Sequence, residues 1–136
     1  MMPVALEIVS PEKLLLSRPV EMVVIPAAEG EIGVLSGHAP MILMLRGGTI
    51  RIYENNQVSA RLFVGGGFAE ITPERCTVLA NEAIPVNEVS RAEAEQRVSA
   101  AQSDYDATDK LNPAVLDAAM DRLQSARAML EAAEAA

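Results

Sequence analysis

The stretch Thr49-Ile50-Arg51-Ile52-Tyr53-Glu54-Asn55-Asn56-Gln57-Val58-Ser59-Ala60-Arg61-Leu62 decides the fold class. Residue types alternate on both sides of Asn55-Asn56, and asparagine tolerates the positive φ that a two-residue hairpin turn demands. The pattern predicts two antiparallel strands with one face buried. Outward from it, similar β-rich runs recur at residues 5–9, 20–25, 42–45, 49–53, 58–64 and 77–79. Pro11, Pro19, Pro26, Pro40, Gly47-Gly48, Pro73 and Pro85 punctuate them. Pro26-Ala27-Ala28 reads as a turn. Gly65-Gly66-Gly67 reads as a turn or bulge rather than a phosphate loop, because neither a lysine nor a helix start follows. Many short strands at this spacing predict an antiparallel β-sandwich or flattened barrel over residues 1–85.

After Pro85 glycine disappears, alanine becomes abundant and the period turns helical. Ser90-Arg91-Ala92-Glu93 has the form of a capping box, with Asn87 as a competing cap. Ala94, Val98, Ala101 and Tyr105 then share one face. Asn112-Pro113 restarts a helix, with asparagine as cap and proline in the first turn. Its predicted inner stripe is Leu116, Ala119, Leu123, Ala126, Leu130 and Ala133. Residues 86–136 are therefore read as a second domain, an antiparallel helical hairpin, and the fold class as α+β. A seam made mostly of alanine buries little apolar area at about 25 cal/mol per Å². The hairpin is expected to lean on the sandwich or on a partner, and to be relocatable.

Composition narrows the function. Half of the 136 residues are hydrophobic, four are aromatic and none is tryptophan, so aliphatic side chains must fill the core. The net charge of −8 disfavours nucleic acid and direct contact with an anionic membrane. Residues 1–85 hold nine acids and six bases, and residues 86–136 ten acids and five bases. Cys76 is the sole cysteine, which excludes an internal disulfide and fits a buried strand position. One histidine and one cysteine make a metal centre or a Cys-His nucleophile a poor fit. No charged-then-apolar leader opens the sequence, and no apolar run approaches the roughly 20 residues of a membrane span.

Residues 30–40, Gly30-Glu31-Ile32-Gly33-Val34-Leu35-Ser36-Gly37-His38-Ala39-Pro40, gather three glycines, an acid, the only histidine and a proline. Glycines that dense predict backbone turns, and the position between two β-like runs predicts a shaped rim of the sheet used for docking. Glu29, Glu31 and His38 would offer acceptors and a switchable donor to a polar loop of a partner. His38 has a second reading, a local hydrogen bond that shapes the turn before Pro40. Glu29 and Glu31 read equally as solvated turn residues.

With Glu29 in front, this stretch resembles the most diagnostic segment of the epsilon subunit of the F-type ATP synthase, called delta in mitochondria. Leu6-Glu7-Ile8-Val9-Ser10-Pro11-Glu12, Val64-Gly65-Gly66-Gly67-Phe68-Ala69-Glu70-Ile71 and Thr77-Val78-Leu79-Ala80 follow the family in order, so the resemblance covers essentially the whole chain. It implies a non-catalytic rotor subunit of a proton-translocating motor, at the foot of the central stalk beside the gamma subunit and on the c-ring. Catalytic sites would belong to other subunits. Glu31 and His38, with Glu29 beside them, would line the c-ring end. Membrane attachment would be indirect and peripheral, on the cytoplasmic side of a bacterial inner membrane.

Some members of that family bind regulatory ATP on the hairpin. The matching stretch here is Asn87-Glu88-Val89-Ser90-Arg91-Ala92: Arg91 and Ala92 fit the motif, Glu88 stands for aspartate, and Asn87 departs from an aliphatic residue. Arg122 and Arg127 would supply phosphate partners. Inhibition of hydrolysis by an extended hairpin would bring its second helix against an acidic loop of the beta subunit. Residues 113–136 carry Arg122 and Arg127 against Asp117, Asp121, Glu131 and Glu134, so weak inhibition is expected. Two other classes remain open at this stage: a nucleotide-sensing regulator without resident cofactor, and a stand-alone β-sandwich binding module with a helical dimerisation arm.

Overall fold

The computed structural model describes residues 2–135. Ten strands come first: β1 (Val4–Val9), β2 (Leu14–Val20), β3 (Met22–Ala27), β4 (Gly30–Val34), β5 (Met41–Leu45), β6 (Gly48–Glu54), β7 (Gln57–Val64), β8 (Gly67–Ile71), β9 (Arg75–Ala80) and β10 (Ala83–Pro85). A 3₁₀ turn, Val86–Glu88, leads into α1 (Arg91–Ala107) and α2 (Pro113–Ala135). The strands form one hydrogen-bonded path in the order β10-β7-β6-β3-β5-β8-β9-β1-β2, with β4 paired to β3. The path curls into two facing layers. They join where β3 passes from β6 to β5, through the single register pair Ala27–Leu45.

The central hairpin forms as its alternation demands. Asn55 and Asn56 sit at φ 55° and 61°, and the Glu21 carboxylate accepts from Asn56 N at 2.8 Å. Ile50, Ile52, Leu62 and Val64 point into the core with Val4, Leu6, Ile8, Val23, Ile25, Ile71 and Val78. The sheet is antiparallel except for β1 beside β9, which run parallel.

Three sequence expectations are corrected. Residues 20–25 are not one run: β2 ends at Val20, Glu21 makes the bend, and β3 begins at Met22. Pro19 lies inside β2, where the edge position leaves its missing N–H without consequence. Pro26 and Ala27 belong to β3 rather than to a turn. β3 changes partner at that point, so no ladder donor is needed from Pro26. The turn itself is Ala28-Glu29.

The glycine triplet closes the β7–β8 connection. Gly67 has φ +134°, and a Cβ there would fall 2.1 Å from the Leu79 carbonyl oxygen. Only glycine fits.

The helices pack on each other through small residues, Ala94 and Ala101 of α1 and Ala119, Ala126 and Ala132 of α2, all buried. Ser90 Oγ accepts from Glu93 N at 3.1 Å, the first half of the expected box. The Glu93 carboxylate instead pairs with Arg97 at 2.9 Å. The inner stripe of α2 follows the prediction through Ala126 and then turns to Met129 and Ala132, leaving Leu130 and Ala133 half-buried. The cause is a second surface to satisfy. Met129 and Ala132 pack with Phe63, Val86 and Ala94 against the outer face of β7.

Candidate functional site

Three surfaces carry the chemistry. The first is the segment after the β3–β4 turn. Gly30 and Gly37 have positive φ, 140° and 86°, as turn glycines should, whereas Gly33 is an ordinary strand residue. Residues 30–34 are thus not a rim of turns but a strand laddered to β3. Glu31 leaves that strand to meet Arg51 at 2.8 Å. The hydrogen bonds Arg51 donates to the Tyr53 hydroxyl and then to Glu31 raise the pKa of its guanidinium above the ordinary value. Glu29 is exposed at the turn. His38 lies beyond the far end of β4, where its Nδ1–H donates to Ala39 O at 2.7 Å and Gly37 N donates to Pro73 O at 2.7 Å. Glu29 and His38 therefore flank opposite ends of a strand some 15 Å long at about 3.3 Å per residue. They do not converge.

The second surface was not read from the sequence. In β5, β8 and β9 the inward phase is apolar, as expected, but the outward phase is apolar too at Ile42, Met44, Phe68 and Leu79, beside the polar Glu70 and Thr77. Met44, Phe68 and Leu79 are register partners across the three strands, 60%, 50% and 53% exposed, and Ile42 beside them is 73% exposed. No other element covers this row among the described residues. The legible signal was a methionine, a phenylalanine and a leucine standing where strand alternation calls for polar side chains.

The third surface is where the hairpin meets the sandwich. Here the outer face of β6 and β7 is covered, with Phe63 buried under α2. Gln124 clamps the Gly47 backbone, its Oε1 accepting from N at 3.1 Å and its Nε2 donating to O at 2.7 Å. Ser125 Oγ donates to Gly65 O at 3.2 Å. A Cβ on Gly47 would stand 2.5 Å from Ser125 Cα, so this glycine permits the approach. Arg97 forks across both oxygens of Glu82 at 2.6 and 2.8 Å, which pushes its pKa further up. The hairpin is folded down.

The residues matched to the hairpin nucleotide motif are dispersed. Glu88 ends the 3₁₀ turn, and Ala92 is exposed in the first turn of α1. Arg91 is engaged by Glu95 at 3.1 Å and Glu134 at 3.4 Å. Arg122 lines a cavity of about 460 Å³ with Arg97 and Asp104, whereas Arg127 lines a different cleft and donates to Gln102 at 3.0 Å. The two arginines of α2 thus line separate cavities. Cys76 is buried among aliphatic side chains, and burial pushes its thiol up to about 11.

The chain is thus a β-sandwich with one bare apolar row and a helical arm latched over its other face. The family model described as "ATP synthase, Delta/Epsilon chain, beta-sandwich domain" matches residues 3–86. Relatives named ATP synthase epsilon chain are 67% identical in Granulibacter bethesdensis (95% of this chain, 96% of the relative) and 47% identical in Gluconacetobacter diazotrophicus (98% and 94%). The chain belongs to the delta/epsilon family of the ATP synthase. Membership makes it an epsilon-type stalk subunit of that complex and not the catalytic subunit.

The fold is also that of a chain in the Euglena gracilis mitochondrial ATP synthase, solved as OSCP/F1/c-ring (TM-score 0.78, 23% identity, 98% of this chain and 82% of that one). A chain of the Tetrahymena thermophila central stalk and c-ring has the same fold (TM-score 0.70, 17% identity, 96% of each). No helix among the described residues is long and apolar enough to cross a membrane.

Proposed function

We propose that the chain is a rotor subunit of the central stalk in a proton-translocating F-type ATP synthase. It couples c-ring rotation, through the gamma subunit, to ATP synthesis in the catalytic head. The observation that carries this reading is the uncovered row Met44–Phe68–Leu79 on an otherwise acidic chain. An apolar stripe running across three laddered strands, rimmed by Glu70 and Glu7, is built to be covered by a partner of fixed register. That partner is the gamma subunit. The two ends of β4, with Glu29 and Glu31 at one and His38 at the other, are proposed to face the polar loops of the c-ring. The chain would then sit peripherally on the cytoplasmic face of a bacterial membrane, held there by the motor.

The test is a pull-down of tagged chain from solubilised membranes of its own host. The unaltered chain should retain alpha, beta, gamma and c subunits. Phe68→Glu with Leu79→Glu, both outward-facing and so compatible with folding, should lose gamma and the ring. Recovery of the unaltered chain alone would overturn the rotor reading. Undiminished gamma on the double variant would overturn the assignment of this face.

A further inference from the structure

Four of the eleven basic residues of this acidic chain line one cleft between sandwich and hairpin. Arg46 follows β5, Arg51 and Arg61 lie on β6 and β7, and Arg127 comes from α2. The cleft measures about 900 Å³, and the only acids on its wall are Glu31 and Glu131. That leaves two formal positive charges in excess.

The arrangement is costly without a counter-charge. Arg51 and Arg61 are direct register partners on the outer face of the β6–β7 ladder. Like charges directly opposite each other in an antiparallel pair are destabilising. Glu31 answers Arg51, but Arg46 and Arg61 form no ion pair among the described residues, and Arg127 donates to the neutral Gln102. Arginines that line one cleft with donors to spare can hold phosphate oxygens in forked hydrogen bonds.

We propose that this cleft is a binding site for a compact, multiply charged phosphate-type anion, gripped by Arg46 and Arg61 of the sandwich and by Arg127 of α2. It shares Arg127 with the hairpin residues matched to the nucleotide motif but holds none of Glu88, Arg91, Ala92 and Arg122, and most of its arginines belong to the β-layer. Since one of its arginines rides on the hairpin, an anion bound here also ties α2 to the sandwich.

Inorganic pyrophosphate is the probe, titrated into the full chain at low ionic strength by calorimetry and by thermal melting. Binding should raise the melting temperature. Arg46→Gln and Arg61→Gln should each weaken affinity by about tenfold, the loss of one charge-assisted contact. Arg122→Gln should leave it unchanged. Without anion, Arg61→Gln should melt no lower than the parent, because it relieves the Arg51–Arg61 repulsion, and this separates lost binding from lost folding. Absence of pyrophosphate binding to the parent would overturn the site. So would binding that survives Arg46→Gln and Arg61→Gln, or that vanishes in Arg122→Gln.

Discussion

At the scale of single residues, two positions make the fold intolerant in measurable ways. The Cβ of Gly67→Ala would meet the Leu79 carbonyl at 2.1 Å, in a backbone conformation that alanine rarely adopts. We expect a loss of about 3 kcal/mol or more in denaturant unfolding, with the β8–β9 ladder the first to lose amide protection. Cys76 gives a pH signature. Its thiol ionises near 9 when the chain is unfolded and near 11 when folded. The folded state therefore keeps the proton longer, and the associated stability is complete below pH 9 and is lost as pH rises toward 11. About 2–3 kcal/mol should disappear over that window. Cys76→Ala should abolish that alkaline component, at a cost near 1 kcal/mol at neutral pH for the emptied volume. At pH 7 the native thiol should resist alkylation until the chain is denatured.

At the scale of elements, the hairpin is held by a short list of contacts, and each can be removed. Gln124→Ala deletes both bonds to Gly47, worth about 1–3 kcal/mol together. Gly47→Ala drives a methyl into the α2 backbone at Ser125. Both variants should keep the sandwich intact and speed protease cleavage after Pro85. Equal cleavage rates in parent and variants would show that the clamp does not hold the hairpin down.

Elements also show what the sequence disclosed and what it hid. The Asn55-Asn56 hairpin, the Ser90 cap and the Pro113 restart were legible because each depends on neighbours within four residues. β4 was hidden by its glycines, which read as turns although Gly33 is a plain ladder residue. The far end of the α2 stripe was hidden too. Pairing with α1 alone predicts Leu130, and only the presence of Phe63 on another layer selects Met129. Among the candidate residues, Glu31 and His38 drew notice through the glycine-dense stretch that holds them, and the role expected of them came from the family resemblance. The row Met44–Phe68–Leu79 depends on a strand order that no local pattern reveals.

For the whole molecule, charge sets the expectation. Residues 113–136 carry Asp117, Asp121, Glu131 and Glu134 against Arg122 and Arg127. An extended hairpin facing an acidic surface would be repelled. In the assembled enzyme, deletion of residues 86–136 should therefore change ATP hydrolysis by less than about twofold. A strong rise would show that attraction outside this charge pattern dominates. The same deletion uncovers Phe63 on the β7 face and should lower the solubility of the isolated sandwich, measurable as earlier aggregation on heating.

The burial of Phe63 has one more consequence. Residues 86–90 join the hairpin to the sandwich, and a tether so short keeps the arm at an effective concentration in the millimolar range or above. α2 thus behaves as a built-in competitor for its own β-face. Anything that draws it upward must displace it in an exchange reaction, with Phe63 passing from one greasy neighbour to another or paying out its exposure to water. Departure of the arm is then governed by the rival's local abundance, and the rate of switching should follow a saturable dependence on that rival rather than a fixed spontaneous clock.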